Sequence, residues 1–373
     1  RDSIYTAGTA GSNPRSLTLV GGVLYFKAGT ADGNELWAHD PSNRSTWQVA
    51  DINSGSGDGM ASGEFMLIGD TLYFSADDGI TGEELWAHDT SNHSTWQVAD
   101  INSGAGDSDA LGGSRLRILD GDTLYFVADD GSTGHELWAH DTSNHSTWQV
   151  ADINSGSGDS NPGGTMHYLV GDTLYFGAND GSTGHELWAH DTSNHSTWQV
   201  IDLWTGGSNG NIHSSFPGST LDVLVGDTLY FGAQDGSTTA GGITQTLWAH
   251  DTSNHSTWRV NDGSGNGFGV SLFMCVLVGD AIYWSYLNQI WAHDTSNHST
   301  WLTDSSTSFS SPGMYMELLV DDTIYFSARE GSSSSDWELW AYDTSNGTTW
   351  QVVEIRSGSL AVSYTHLTLP TTS

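Results

Sequence analysis

The sequence predicts an all-β chain: a seven-bladed β-propeller built from seven four-stranded repeats of about 50 residues. Three observations carry this expectation. The string Leu-Trp-Ala-His-Asp recurs with small changes around Trp37, Trp86, Trp138, Trp188, Trp248, Trp291 and Trp340, at spacings of 49, 52, 50, 60, 43 and 49 residues. A second Trp follows each of these by ten residues, at Trp47, Trp96, Trp148, Trp198, Trp258, Trp301 and Trp350. No stretch carries helical periodicity, while 46 Gly and 17 Trp suit short strands joined by tight turns. The ten-residue spacing is constant although the repeat length varies. One rigid element therefore lies between each Trp pair, and insertions are confined elsewhere.

The third repeat shows the elements in order. Residues 116–119 form a short, mostly apolar first strand. Gly121-Asp122 turns the chain into a second strand at 123–128, which is aromatic and apolar. Residues 129–134 are a polar, Gly-containing loop, 136–140 a third strand and 147–153 a fourth. Between the last two lies Asp-Thr-Ser-Asn-His-Ser, residues 141–146, rich in side chains that hydrogen-bond their own backbone. The seventh repeat has Asn346-Gly347 there, a hairpin signal. A hairpin centred on Ser143 sets Trp138 opposite Trp148, with both indoles on one face. It also sets His140 opposite Ser146 and His145 opposite Asp141. Leu137 and Ala139 then point the other way, so both faces of each sheet need cover, as blades between neighbouring blades would have.

The motifs Leu-Tyr-Phe-x-Ala-x-Asp-Gly, Gly-x-Glu-Leu-Trp and Trp-Gln-Val-x-Asp-Ile resemble those of the ELWxxDGT-repeat proteins, secreted chains of bacteria and archaea. The resemblance covers residues 1–361, taken as a single propeller domain. It departs from that family where Asp-Gly-Thr becomes Asp-Thr-Ser. It implies an extracellular or cell-surface, repeat-built module within a longer protein, and no defined reaction. Arg1 and the residues after it fall where a fourth strand would end, which predicts an earlier unit and leaves eight blades open. Residues 362–373 match nothing else in the chain and read as an adapter-derived, non-native tail.

Composition excludes several function classes. Nine Lys+Arg against 45 Asp+Glu give a formal net charge of −36, which cannot neutralise phosphates. The expectation is no nucleic-acid partner and no docking on anionic membranes. No apolar run of ~18 residues is present, so no membrane insertion is expected. A single Cys, Cys275, excludes a disulfide scaffold and a cysteine-rich zinc site, and its apolar surroundings predict a buried strand.

The metal candidates lie in acidic loops after the fourth strand. Asp51, Asn53 and Asp58 recur as Asp100, Asn102 and Asp107, and again as Asp152, Asn154 and Asp159. Oxygen ligands at alternate positions around a Gly-rich turn suit calcium. The plain alternative is a side-chain-capped turn linking blades, and the later units lose the pattern, at Asp202-Leu-Trp204 and Asn261-Asp262. A second loop, Asp77-Asp78-Gly79 and its copies, reads as turn chemistry. The histidine pairs, such as His140 and His145, raise the possibility of a transition metal. The alternative is a solvated rim histidine titrating near neutrality. All seven hairpins carry Asn-x-Ser/Thr, at Asn43, Asn92, Asn144, Asn194, Asn254, Asn297 and Asn346, a glycosylation acceptor or simply a turn.

Function follows from repetition. Near-identical units suit multivalent binding, whereas catalysis needs one asymmetric site. The leading expectation is a non-catalytic adhesion or recognition module for a glycan or a surface protein. The alternatives are a polysaccharide-active hydrolase or lyase using the divergent units five and six, and a calcium-stabilised structural array.

Overall fold

A computed structural model describes residues 11–30, 33–60, 65–113, 116–205, 213–239, 242–261, 274–286, 288–303, 309–313, 317–330, 337–353, 356–357 and 361–362. The expected earlier strand at Arg1–Ser3 lies outside the described residues, as do residues 363–373 of the tail read as adapter-derived. Among the described residues there is no helix.

Among the described residues the chain forms seven antiparallel sheets of four or five strands in sequence order, six of them four-stranded meanders, followed by a two-stranded pair of Arg356–Ser357 and Ala361–Val362. The seventh carries an extra short strand, Phe309–Ser310, paired to Thr323–Glu330. This is the tandem, propeller-like organisation expected from the repeats. The chain divides into two compact units, Arg1–Ser215 with sheets one to four and Phe216–Ser373 with sheets five to seven.

Sheet three is representative. Its strands are Arg117–Asp120, Thr123–Asp129, His135–Asp141 and Ser146–Ala151. Each lies within two residues of the stretch expected from sequence. The second and third strands pair without interruption from Thr123↔Asp141 to Asp129↔His135. Register then shifts between Leu137 and Trp138 against the fourth strand.

The register of the hairpin itself overturns the expected Trp pair. Trp138 pairs with Gln149, and Trp148 pairs with Ala139. Side chains directly opposite share a face, and successive residues alternate, so the two indoles point to opposite faces. His140 correspondingly pairs with Thr147, not Ser146. The register runs unbroken from Asp141↔Ser146 to Trp138↔Gln149, so four residues, 142–145, make the turn in place of one centred on Ser143, and the bulge acts only beyond Trp138.

The alternation builds the core inside each unit. Tyr125, Leu137, Ala139 and Trp148 of sheet three pack against Leu174, Phe176, Ala178 and Trp188 of sheet four. Tyr73, Leu85, Ala87 and Trp96 of sheet two meet Leu124, Phe126, Ala128 and Trp138 of sheet three in the same way. Sheets one and two repeat the arrangement, as do sheets five and six in the other unit. Trp86, Trp138, Trp188, Trp291 and Trp340 of third strands thus face the preceding sheet, and Trp47, Trp96, Trp148 and Trp258 of fourth strands the following one. Phe126 on one face is 0% exposed and Val127 on the other 1%, so both faces are covered, as the sequence required.

Candidate functional site

Three polar constructions recur along the chain, and each begins from a local sequence rule. The first is the hairpin rim. Asp141 Oδ1 accepts from Ser143 N and Ser143 Oγ at 2.8 and 2.6 Å, and Asp141 Oδ2 accepts from Asn144 Nδ2 at 2.6 Å. Asn144 Oδ1 accepts from Ser146 N at 2.9 Å. These hydrogen bonds hold the Asp141 carboxyl below its ordinary range, the Ser143 hydroxyl contributing most. The same Asp–Asn bond occurs in all seven hairpins, at 2.6–2.8 Å. The amide nitrogen that would carry a glycan at each Asn is therefore already donated within the turn.

The histidines divide into two kinds. His88, His140, His190 and His293 are at most 1% exposed, and each Nδ1 lies 2.8–2.9 Å from a threonine Oγ1 on the fourth strand. Each ring packs on a tyrosine of the preceding sheet, Tyr73–His140 for example at 5.6 Å between centroids. Burial pushes these histidines down to about 4, with the neighbouring turn histidine adding to the effect. The expectation of a solvated histidine titrating near neutrality is thus wrong for this position. The second kind, His145 and its counterparts, is exposed at the rim, and its ring reaches 6.4 Å from that of His140. Sequence pairing had kept the two apart.

The second construction was not recognised as a site from sequence. The glutamate of Gly-x-Glu-Leu-Trp is 0% exposed at Glu35, Glu84, Glu136 and Glu186. Its carboxylate lies beneath the loop that follows the fourth strand. Glu136 accepts from Ile153 N at 2.8 Å, Asn154 N at 3.3 Å, Ser160 N at 3.2 Å and Ser160 Oγ at 2.5 Å. Glu35 accepts from Ile52 N and Gly59 N at 2.8 and 2.9 Å. Burial pushes Glu35, Glu136 and Glu186 up to about 7, and the loop hydrogen bonds pull in the opposite direction. The glycine of the motif has its own reason. Gly33 and Gly134 have φ of +97° and +73°, and a Cβ there would run into the carbonyl of Gly57 or Gly158 in the same loop.

The calcium candidates occupy this loop. Asp58, Asp107 and Asp159 each accept a backbone N–H from the start of the third strand, at 2.8, 2.9 and 2.9 Å. Asn53, Asn102 and Asn154 donate to the carbonyls of those same aspartates at 3.4, 2.9 and 3.1 Å. Asp51, Asp100 and Asp152 are exposed. The structure thus brings the Asn and the second Asp of each set together in a capped turn, and much of the loop's N–H chemistry is spent on an internal anion. Asp159 also meets His135 Nδ1 at 3.1 Å, whose Nε2 lies 3.1 Å from Asp109. Among the described residues, no group of three or more His, Cys, Asp or Glu is placed to hold a metal. The second acidic loop is turn chemistry as expected: Asp130 Oδ1 accepts from Ser132 N and Thr133 N at 2.8 Å. Cys275 lies in the strand Cys275–Val278, where burial drives its thiol up to about 12.

The third construction is a cleft of about 650 Å³ between the rims of sheets two and three. Sheet two contributes Thr71, Tyr73, Ser94 and Trp96, and sheet three contributes Asp122 and His145. Asp89 and Asn92 also line it, but their polar atoms are tied within their own hairpin. The residue types recur at the next interface as Thr123, Tyr125, Ser146, Trp148, Asp172 and His195. Between sheets five and six, Trp258 and His298 meet edge-on at 5.6 Å, the same pairing of fourth-strand Trp with the next turn histidine.

No family model and no curated protein matches the chain. Solved structures do. Dipeptidyl peptidase 4 of Porphyromonas gingivalis aligns at 10% identity and TM-score 0.52, over 92% of this chain and 50% of that one. A puromycin-hydrolyzing peptidase of Mycobacterium tuberculosis aligns at 10% identity and TM-score 0.40, over 93% and 54%. Oligogalacturonate lyase of Vibrio parahaemolyticus aligns at 10% identity and TM-score 0.39, over 82% and 83%. The chain spans about half the length of the peptidases it matches. At such identity the likeness to dipeptidyl peptidase 4 is one of fold alone.

Proposed function

We propose that this chain is a non-catalytic recognition or adhesion module, presented outside the cell, that binds a glycan or a surface protein through repeated sites. One observation carries the reading. The polar-aromatic rim recurs in neighbouring units with the same residue types, so a polymeric ligand can engage several copies at once. Linking weak sites raises overall affinity by ~10²–10⁴ without any new contact. The buried glutamates and histidines, which would otherwise suggest acid–base chemistry, already have structural work to do in each unit. A ring of seven blades belongs to the same reading. It would set the rims side by side, and small-angle scattering from an elongated rather than disc-like particle would remove it.

The experiment is an array of glycans and surface proteins probed with the full chain, in parallel with turnover assays on polysaccharides. The reading expects stable binding without turnover. Turnover without stable binding would replace it with the hydrolase or lyase alternative.

A calcium-stabilised array is a second reading. The exposed carboxylates of Asp51 and Asp152 lie close enough to Glu35 and Glu136 to raise those groups, so a cation beside them would relieve repulsion. It requires a melting midpoint that falls on adding chelator.

A further inference from the structure

We propose that the cleft between neighbouring hairpin rims binds a neutral saccharide unit, with the turn histidine as the residue that recognises it. This deepens the recognition reading and rests on it.

The first argument is backbone strain kept without need. His145 has φ of +63°, and His93, His195, His255 and His298 have +62°, +60°, +58° and +57°. This left-handed region is unfavourable for a residue with a Cβ. Unit seven makes the same turn with Gly347 at φ +72° and keeps the same Asp343–Asn346 bond. The turn therefore needs no histidine. Five copies retain one in the unfavourable conformation, and His145 lines the cleft. Strain of this kind is held where the side chain has a role.

The second argument is the chemistry of the walls. Trp96 supplies an aromatic surface, partly exposed, against which the apolar face of a sugar ring can lie. Ser94, Thr71, Asp122 and His145 supply hydroxyl, carboxylate and imidazole groups around it, suited to a ligand that both donates and accepts hydrogen bonds. The volume of about 650 Å³ lies within the range of small-molecule sites.

The third argument is charge. A net charge of −36 repels acidic polymers. Of the two aspartates lining the cleft, Asp89 already accepts from Ser91 and Asn92, which leaves one carboxylate, Asp122, among the hydroxyl and imidazole groups of Thr71, Ser94 and His145. A neutral polyol fits what is left. Repetition along the chain then suits a polymer of such units.

The test is isothermal titration and affinity electrophoresis of the full chain with a neutral β-glucan, a mannan and starch. Polygalacturonate and chitosan oligomers are the anionic and cationic arms. The variant carries His→Gly at 93, 145, 195, 255 and 298, a residue that unit seven already tolerates in this turn. The expected result is binding of at least one neutral polymer, weakened at least tenfold in the variant, with a melting midpoint that does not fall. The proposal is overturned if no neutral polymer binds, if chitosan or polygalacturonate binds better, or if the variant binds as well as the parent. A protein ligand bound equally by parent and variant would remove the saccharide cleft while leaving the recognition reading in place. Polymer turnover without binding would remove both.

Discussion

The hairpin between the third and fourth strands holds the same Asp–Asn bond in all seven units, whereas the glutamate at the other end of the sheet is missing from the fifth and sixth and returns as Glu338 in the seventh. Glu35, Glu84, Glu136 and Glu186 hold their loops in the first four units, and Thr246 and Gln289 stand at that position in the fifth and sixth. The difference lies in how far each construction reaches. Asp141 is satisfied by residues two and three positions away. Glu136 needs donors 17 and 24 positions away, on a loop whose length can change. A local motif survives any insertion outside itself, while a distant one survives only if the loop still returns. Glu186 shows the limit: its loop is longer, yet Ser215, 29 positions on, replaces Ser160 and gives the same pair of bonds through N and Oγ. Thr246 needs no such loop. It accepts from Trp248 Nε1 and donates locally, to Ala233 O or Asp235 Oδ2.

The largest test of this contrast removes an anchor. Glu136→Ala leaves the N–H groups of Ile153 and Asn154 without their carboxylate acceptor, while Ser160 N keeps the His135 carbonyl, and should destabilise the unit by about 3 kcal/mol in chemical denaturation. Thr246→Ala should cost about 1 kcal/mol. Equal costs would mean that the anchor does no more than the local substitute.

The second test uses pH, because the two buried populations titrate in opposite senses. Glu35, Glu136 and Glu186 are raised from 4.5 to about 7, so the folded chain holds their protons more tightly than the unfolded chain. Their stabilising contribution is full below pH 4.5 and lost as pH rises to 7. His88, His140, His190, His250 and His293 are lowered from 6.5 to about 4, so stability falls as pH drops from 6.5 to 4. The windows overlap, and the parent should show a shallow profile between them. Glu→Gln at 35, 136 and 186 should expose the histidine slope, with a melting midpoint that climbs more steeply from pH 4 to 6.5. A profile merely displaced downward, with unchanged slope, would show that the glutamates do not titrate in this range.

The third test targets the rim. Asp141→Ala removes the acceptor of an exposed turn, so the midpoint should fall by less than in Glu136→Ala. The parent turn should also weaken at acid pH, since this carboxyl is held below its ordinary range and must be ionised to accept all its donors. The smallest effect is expected for His145→Gly, a gain of about 1 kcal/mol from relieving the left-handed residue. A loss there would mean that the His140–His145 ring contact outweighs the strain.

Much of this molecule was legible in its residues. The repeat number, the four strands of each unit and the Asp-x-Ser-Asn turns followed from spacing and turn chemistry. The calcium candidates were found as a recurring set, but the feature beneath them was not. Gly-x-Glu-Leu-Trp was recognised as a motif, and a charged residue next to Leu-Trp within a strand gave one usable signal that the carboxylate must find donors indoors. The bulge at Leu137 and Trp138 left no comparable mark.

What the sequence by itself determined are the features whose partners lie within a few residues: strands, hairpins and the acidic turns. Those bonds form whatever the rest of the chain does. Only the tertiary structure decided which sheet each Trp faces, that His140 is sealed against Tyr73 of the preceding sheet, and that Glu136 ends beneath a loop 17 to 24 residues downstream. Burial and its effect on protonation depend on atoms brought from another sheet or a returning loop, and a linear pattern does not record which atoms those are.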